Sequence, residues 1–106
     1  MDLNLPTDEM TNKYFGEVLE VLCSNFKYSP AAAVELIHMY YRLFTDDAYC
    51  NPIGVATQND DFFWHEGQFD IALRIHYYLT LKRDPAPMSY IKFRQDYQNN
   101  RWGQML

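Results

Sequence analysis

Apolar residues recur every three or four positions along most of the chain, the period of an α-helix that buries one face. The first such run covers Asp8 to Lys27. Tyr14, Val18, Leu22 and Phe26 stand four apart with Phe15, Leu19 and Cys23 beside them, while Glu17, Glu20, Ser24 and Lys27 take the other face. Thr7 precedes the run as a candidate cap, and Asp8 and Glu9 suit the positive end of the helix dipole. A second run opens at Ser29-Pro30, a capping residue followed by proline at the first helical position, and continues to Phe44. Its polar positions reduce to Glu35, His38 and Arg42, so it reads as the most buried helix.

Residues 45–60 collect Asp, Asn, Pro and Gly and read as a loop, longer than most connections and flanked by Asp46-Asp47 and Asp60-Asp61. A third helix is predicted from Asp61 to Lys82, with Asp60 as its cap. It places Phe62, Phe69, Leu73 and His76 on one face and Glu66, Asp70 and Arg74 on the other, with Asp70 and Arg74 spaced for an i,i+4 ion pair. Gly67 lies inside it, at about 1 kcal/mol relative to Ala, and signals a kink or a close crossing. After Arg83-Asp84-Pro85-Ala86-Pro87, a last helix runs from Pro87 or Met88 to Asn99 with Tyr90, Phe93 and Tyr97 on one side; Trp102-Gly103 then folds back or frays. The pattern predicts an all-α fold: one domain over residues 1–106, a bundle of about four helices with a long loop between the second and third.

Composition supports that picture. Of 106 residues, 48% are hydrophobic and 17% aromatic, ample for one core and far from the make-up of a disordered chain. A folded chain of this length has a radius of gyration of about 13 Å, which leaves little depth for an enclosed active site and favours a surface one. No apolar stretch approaches the roughly 20 residues needed to span a bilayer. The first ten residues, MDLNLPTDEM, are acidic where a signal peptide would be basic, so a cytoplasmic location is expected. Cys23 and Cys50 are then free thiols, Cys23 in the core stripe and Cys50 in the loop, where no histidine or other base stands in an interpretable relation to activate it.

The net charge of −5 is unevenly spread. Residues 1–70 carry twelve acids against Lys13, Lys27 and Arg42, a balance of −9, and residues 71–106 carry six basic residues against Asp84 and Asp96, a balance of +4. If folding keeps these sets apart, the chain steers oppositely charged partners; if it mixes them, the effect fades.

The search for catalytic chemistry finds little. His65-Glu66 begins like the zinc motif HExxH, but Phe69 stands where the second histidine belongs. His76 shares a side with His65, and two histidines alone make a poor zinc site. His76 reads as half-buried, His38 and His65 as nearer the surface. The aspartate pairs lack the EF-hand pattern, and no phosphate loop or nucleophile elbow occurs. No metal, no cofactor and no enzyme activity are expected. Tyr90, Lys92, Phe93, Arg94, Tyr97, Arg101 and Trp102 interleave basic and aromatic residues as single-strand binders do, which makes a helical regulator binding nucleic acid through its basic C-terminal third an alternative. Against it, the aromatics have the spacing of a core face, and the first seventy residues would repel phosphate.

The remaining feature is the acidic, aromatic stretch from Asp46 to Asp70. Successive helical residues are about 100° apart, so Phe62, Phe63 and Trp64 cannot all face inward. At least one is exposed or lies under the loop. Aromatics rimmed by charge are what protein interfaces use as anchors. Asp46, Asp47, Tyr49, Asp60, Asp61, Trp64, Glu66 and Asp70 are the candidate partner contacts. In this acidic, aromatic-rich helical character the chain resembles the immunity proteins of bacterial contact-dependent growth inhibition and related polymorphic toxin systems, without a diagnostic motif. The resemblance implies a bacterial cytoplasmic protein that covers the active site of a cognate toxin, many of which are nucleases with cationic clefts. Complementary charge would speed that encounter and select the partner.

Overall fold

The computed structural model describes residues 3–105, with side chains described as far as Asn100. Asp2, Arg101 and Trp102, which enter the charge balance and the basic-aromatic pattern, have side chains outside that set. The described chain is helical, without strands. Its helices are α1 (Glu9–Asn25), α2 (Pro30–Phe44), α3 (Asp47–Ile53), α4 (Asp60–Glu66), α5 (Gln68–Ile75) and α6 (Pro87–Met105). A wide π-helical turn, His76–Thr80, continues α5.

Capping corrects the expected start of α1. The Asp8 carboxylate, not the Thr7 hydroxyl, accepts the Thr11 N–H, at 2.7 Å. A carboxylate gains both the hydrogen bond and the favourable end of the helix dipole, so it outcompetes its neighbour. The Thr7 hydroxyl donates instead to Asp60 Oδ2, at 2.5 Å, and ties the N-terminal segment to α4. Lys27 ends the helical stretch in the left-handed region, φ 63°, with its ammonium donating to the Ser24 carbonyl. In α2, Ser29 caps as expected, its hydroxyl accepting the Ala32 N–H at 3.2 Å.

The predicted loop 45–60 is only partly a loop. Asp46 accepts the Ala48 N–H and opens α3, which stops at Gly54 in the left-handed conformation (φ 76°). Pro52 did not prevent this. As the sixth of seven residues it forgoes one bond, to the Ala48 carbonyl, and the helix ends two residues later at Gly54. The third predicted helix is broken rather than kinked. Gly67 adopts φ 93° and ψ 150°, a conformation open to glycine alone, and separates α4 from α5. Asn59, one residue before the expected Asp60, caps α4 by accepting the Phe62 N–H at 2.9 Å. The last helix runs to Met105, past the expected end at Asn99.

The core is aromatic and centred on α5. Ile71, Ala72, Leu73 and Ile75 are all buried, because α1, α2 and α4 pack around this short helix. The expectation that α2 is the most buried is therefore overturned: it buries Ala33, Ile37, Tyr40 and Phe44 along one stripe and leaves Met39 and Arg42 exposed. Phe15, Phe44, Phe63 and Tyr40 interlock beside α5. Tyr90 and Phe93 of α6 pack on Tyr77, with centroids at 5.2 and 4.9 Å, while Tyr97 stacks on Phe26. The cysteines are reversed from expectation. Cys50 is fully buried because α3 folds it against α2, its thiol donating to the Leu43 and Phe44 carbonyls, whereas Cys23 is only partly covered.

Candidate partner-binding surface

The eight candidate contacts divide into three places. Asp46 and Asp47 sit at the start of α3, both exposed, one capping the helix and the other accepting the Thr57 hydroxyl. These are ordinary helix-terminal duties, although both carboxylates stay open to solvent. Tyr49, on the same helix, turns away from them. Its ring packs edge-on against Phe44 and lines a groove of about 400 Å³ with Met39, Ile53, Leu79, Lys82 and Arg83. That groove has basic residues at its rim, so Tyr49 does not belong with the acids.

Asp60, Asp61 and Trp64 form the second group. Positions three and four apart on a helix share a face, so α4 brings both acids alongside the tryptophan. Asp60 is the anchored member, accepting from Thr7 and, at 3.1 Å, from the Tyr41 hydroxyl. Asp61 is exposed, and the two acids flank a shallow depression of about 450 Å³ with Tyr41, Thr45, Gln58 and Asn59. Of the three consecutive aromatics, Phe63 is buried, Phe62 is half-buried and Trp64 is 46% exposed. Trp64 is also held. Its ring stacks on Tyr14 at 5.8 Å with 30° between the planes, and its indole N–H donates to the Thr11 hydroxyl at 3.3 Å. The Tyr14 hydroxyl beneath is buried without a hydrogen-bond partner, and burial pushes its pKa up. A large aromatic fixed in place with one face in water is the arrangement of an interface anchor, since little rotamer freedom is left to lose on binding.

Glu66 and Asp70 make the third group, at the end of α4 and the start of α5. Glu66 is 13% exposed and bridges two guanidinium groups, Arg74 at 3.1 Å and Arg94 at 3.3 Å. The Arg74 guanidinium also lies 4.3 Å from the Tyr90 ring centroid and 5.2 Å from that of Phe62. The expected Asp70–Arg74 pair is not formed: Arg74 swings to Glu66, and Asp70 contributes its backbone carbonyl, which accepts from the Tyr90 hydroxyl at 3.4 Å.

This triad also places the basic C-terminal third. Arg74 and Arg94 are engaged with Glu66, Tyr90 is buried, and Phe93 and Tyr97 pack on the core. Among the described residues, the aromatic rings that could stack on bases are thus already packed against protein. His76 is half-buried, its Nδ1 2.6 Å from the Tyr28 hydroxyl, and burial lowers its pKa; His38 and His65 are exposed. Among the described residues no group of three or more His, Cys, Asp or Glu is placed to hold a metal, and no helix is long and apolar enough to cross a membrane.

Sequence reading missed the outer face of α1. Met10 is 59% exposed there, and a concavity of about 710 Å³ runs along it between Leu3 and Glu20. The signal was present: Glu9, Glu17 and Glu20 repeat at helical spacing around Gly16. No protein-family model matches the chain, and neither does any curated protein or solved structure.

Proposed function

We propose that this chain acts by binding a cationic protein surface through α4 and the adjoining part of α1, as an immunity protein that neutralises a cognate toxin domain by covering its active site. The observation that carries the reading is Trp64: half-exposed, stacked on Tyr14, pinned to Thr11, and flanked on its own helix by Asp60 and Asp61. The site it supports is narrower than the eight residues first singled out. Asp60, Asp61 and Trp64 form its centre, Asp46 and Asp47 are peripheral, and Tyr49, Glu66 and Asp70 have other surroundings. A toxin cleft that binds an anionic substrate presents the lysines and arginines that such a surface complements, and opposed charge raises the rate of encounter.

The test is co-expression with the product of the gene immediately upstream. Under this reading that product ends in a toxic domain, the chain protects cells from it, and the two copurify. Trp64→Ala should weaken the complex by roughly tenfold or more, as truncation of a central aromatic does. Asp61→Lys should slow association and flatten its salt dependence. A neighbour without a toxic domain, or full protection by the Trp64→Ala, Asp61→Lys double variant, would overturn the proposal.

The alternative, a nucleic-acid-binding regulator, keeps exposed Lys82, Arg83 and Lys92 but loses Tyr90, Phe93, Arg94 and Tyr97 to contacts within the fold. An absence of gel retardation by DNA or RNA at about 50 mM salt, where phosphate contacts are strong, removes it.

A further inference from the structure

Gly16 stands in the middle of α1, and a Cβ built on it would meet nothing within 4 Å. Its backbone is ordinary helix, so neither a positive φ nor a neighbouring element requires glycine there. Glycine nevertheless weakens a helix interior relative to alanine. Within the chain, that weakness has no compensating contact. What glycine offers instead is bare backbone that another molecule can approach closely.

The surroundings of Gly16 say what that molecule would be. The groove on this face is floored by Leu3 and Leu19, both nearly buried, and edged by exposed Met10. Among the described residues, Glu9, Glu17 and Glu20 line it against the single cation Lys13. Glu9 and Glu20 form no ion pair among the described residues. From Glu9 to Glu20 the face is about 17 Å long, the length of three helical turns. It is tied to the junction of α4 and α5 through Glu17, which accepts from Gln68 at the start of α5, at 2.6 Å.

We infer that the outer face of α1 is a docking groove for a basic amphipathic helix of the partner protein, crossing closest at Gly16 with its apolar side on Leu3, Leu19 and Met10 and its lysines or arginines toward Glu9, Glu17 and Glu20. This rests on the reading that the chain binds a cationic protein, and it extends that interface from one anchor to a second, elongated contact.

The experiment titrates the catalytically inactivated toxin domain encoded upstream into wild-type protein and into the Gly16→Ala, Gly16→Arg and Trp64→Ala variants. Gly16→Ala should raise the Tm of the free protein yet weaken binding by about tenfold, a combination that a purely structural glycine does not give. Gly16→Arg should abolish binding. If both Gly16 variants bind like wild type while Trp64→Ala does not, the groove is outside the interface and the inference falls with the α4 anchor intact. If wild-type protein does not bind the domain, both fall. Should Gly16→Arg fail to fold, hydrogen exchange of the wild-type complex decides: protection of residues 9–20 on binding supports the groove, and unchanged exchange there overturns it.

Discussion

Arg74 Nη2 lies 3.1 Å from Glu66 Oε2, although the two residues are eight apart in sequence. On a continuous helix they would be separated by about 12 Å along the axis. Gly67 removes that distance by ending α4 and letting α5 set off in a new direction. Removing the acid leaves Arg74, 15% exposed and with its Nε already unpartnered, as an uncompensated charge. Glu66→Ala should therefore destabilise the chain by about 3 kcal/mol, whereas Asp70→Ala, which forfeits no ion pair, should stay within about 0.5 kcal/mol. Urea unfolding of the two variants checks the difference.

Two glycines should respond to alanine in opposite directions. At Gly67, φ 93° with ψ 150° is strained for any side chain even though the space around it is open, so Gly67→Ala should lose about 1–3 kcal/mol. At Gly16 the backbone is helical and the space equally open, so Gly16→Ala should gain about 1 kcal/mol. Thermal melts of the two single variants measure both signs.

The same pair shows how far sequence carries. Period 3.6 located α1, α2 and most of α6, because long amphipathic runs leave no other way to bury Tyr14, Val18, Ile37 or Tyr90. It could not separate α4 from α5, since apolar periodicity continues through Gly67 and only the backbone angle of one residue breaks the helix. It could not find α3 within residues 45–60, where Asp46 and Asp47 serve as cap and first-turn residue as readily as loop residues and Pro52 signals a break. Among the candidate contacts, the shared helix face of Asp60, Asp61 and Trp64 was legible from their spacing. Glu66 was not, because its partner Arg94 lies 28 residues away and is brought near only by the docking of α6.

His76 links stability to pH. Burial holds its folded-state pKa below the ordinary 6.5, so the unfolded chain takes up the proton first as pH falls. The stabilisation is complete above pH 6.5 and is lost as pH drops through 6.5 towards the lower folded-state value. The groups facing the ring are the Tyr28 hydroxyl and the ring of Phe26, with no acid among its hydrogen-bond partners to favour the imidazolium. His76→Gln should flatten the decline in chemical-denaturation midpoint between about pH 6.5 and pH 5.5, above the range in which ordinary carboxylates titrate. An unchanged slope would assign the decline to other groups.

Thiol labelling should distinguish the cysteines. Cys50 is fully buried, burial raises its pKa, and its thiol faces two carbonyls of α2, whereas Cys23 is partly exposed. Iodoacetamide near neutral pH should modify Cys23 in the native protein and reach Cys50 only at the rate of opening. Peptide mass spectrometry of a time course reads both.

The segment between α3 and α4 is bound to the body at Gln58, which is 5% exposed. Its N–H donates to the Phe44 carbonyl at 2.8 Å, and its side-chain oxygen accepts the hydroxyl of buried Tyr40. The strand of chain leading into Asp60 and Asp61 is thereby fastened to α2 before any partner arrives. A toxin meeting this face would encounter a finished template rather than one that congeals around it. Complex formation should then be a single bimolecular event, its rate rising linearly with concentration without a plateau, and its heat-capacity change should match the area of the contact alone.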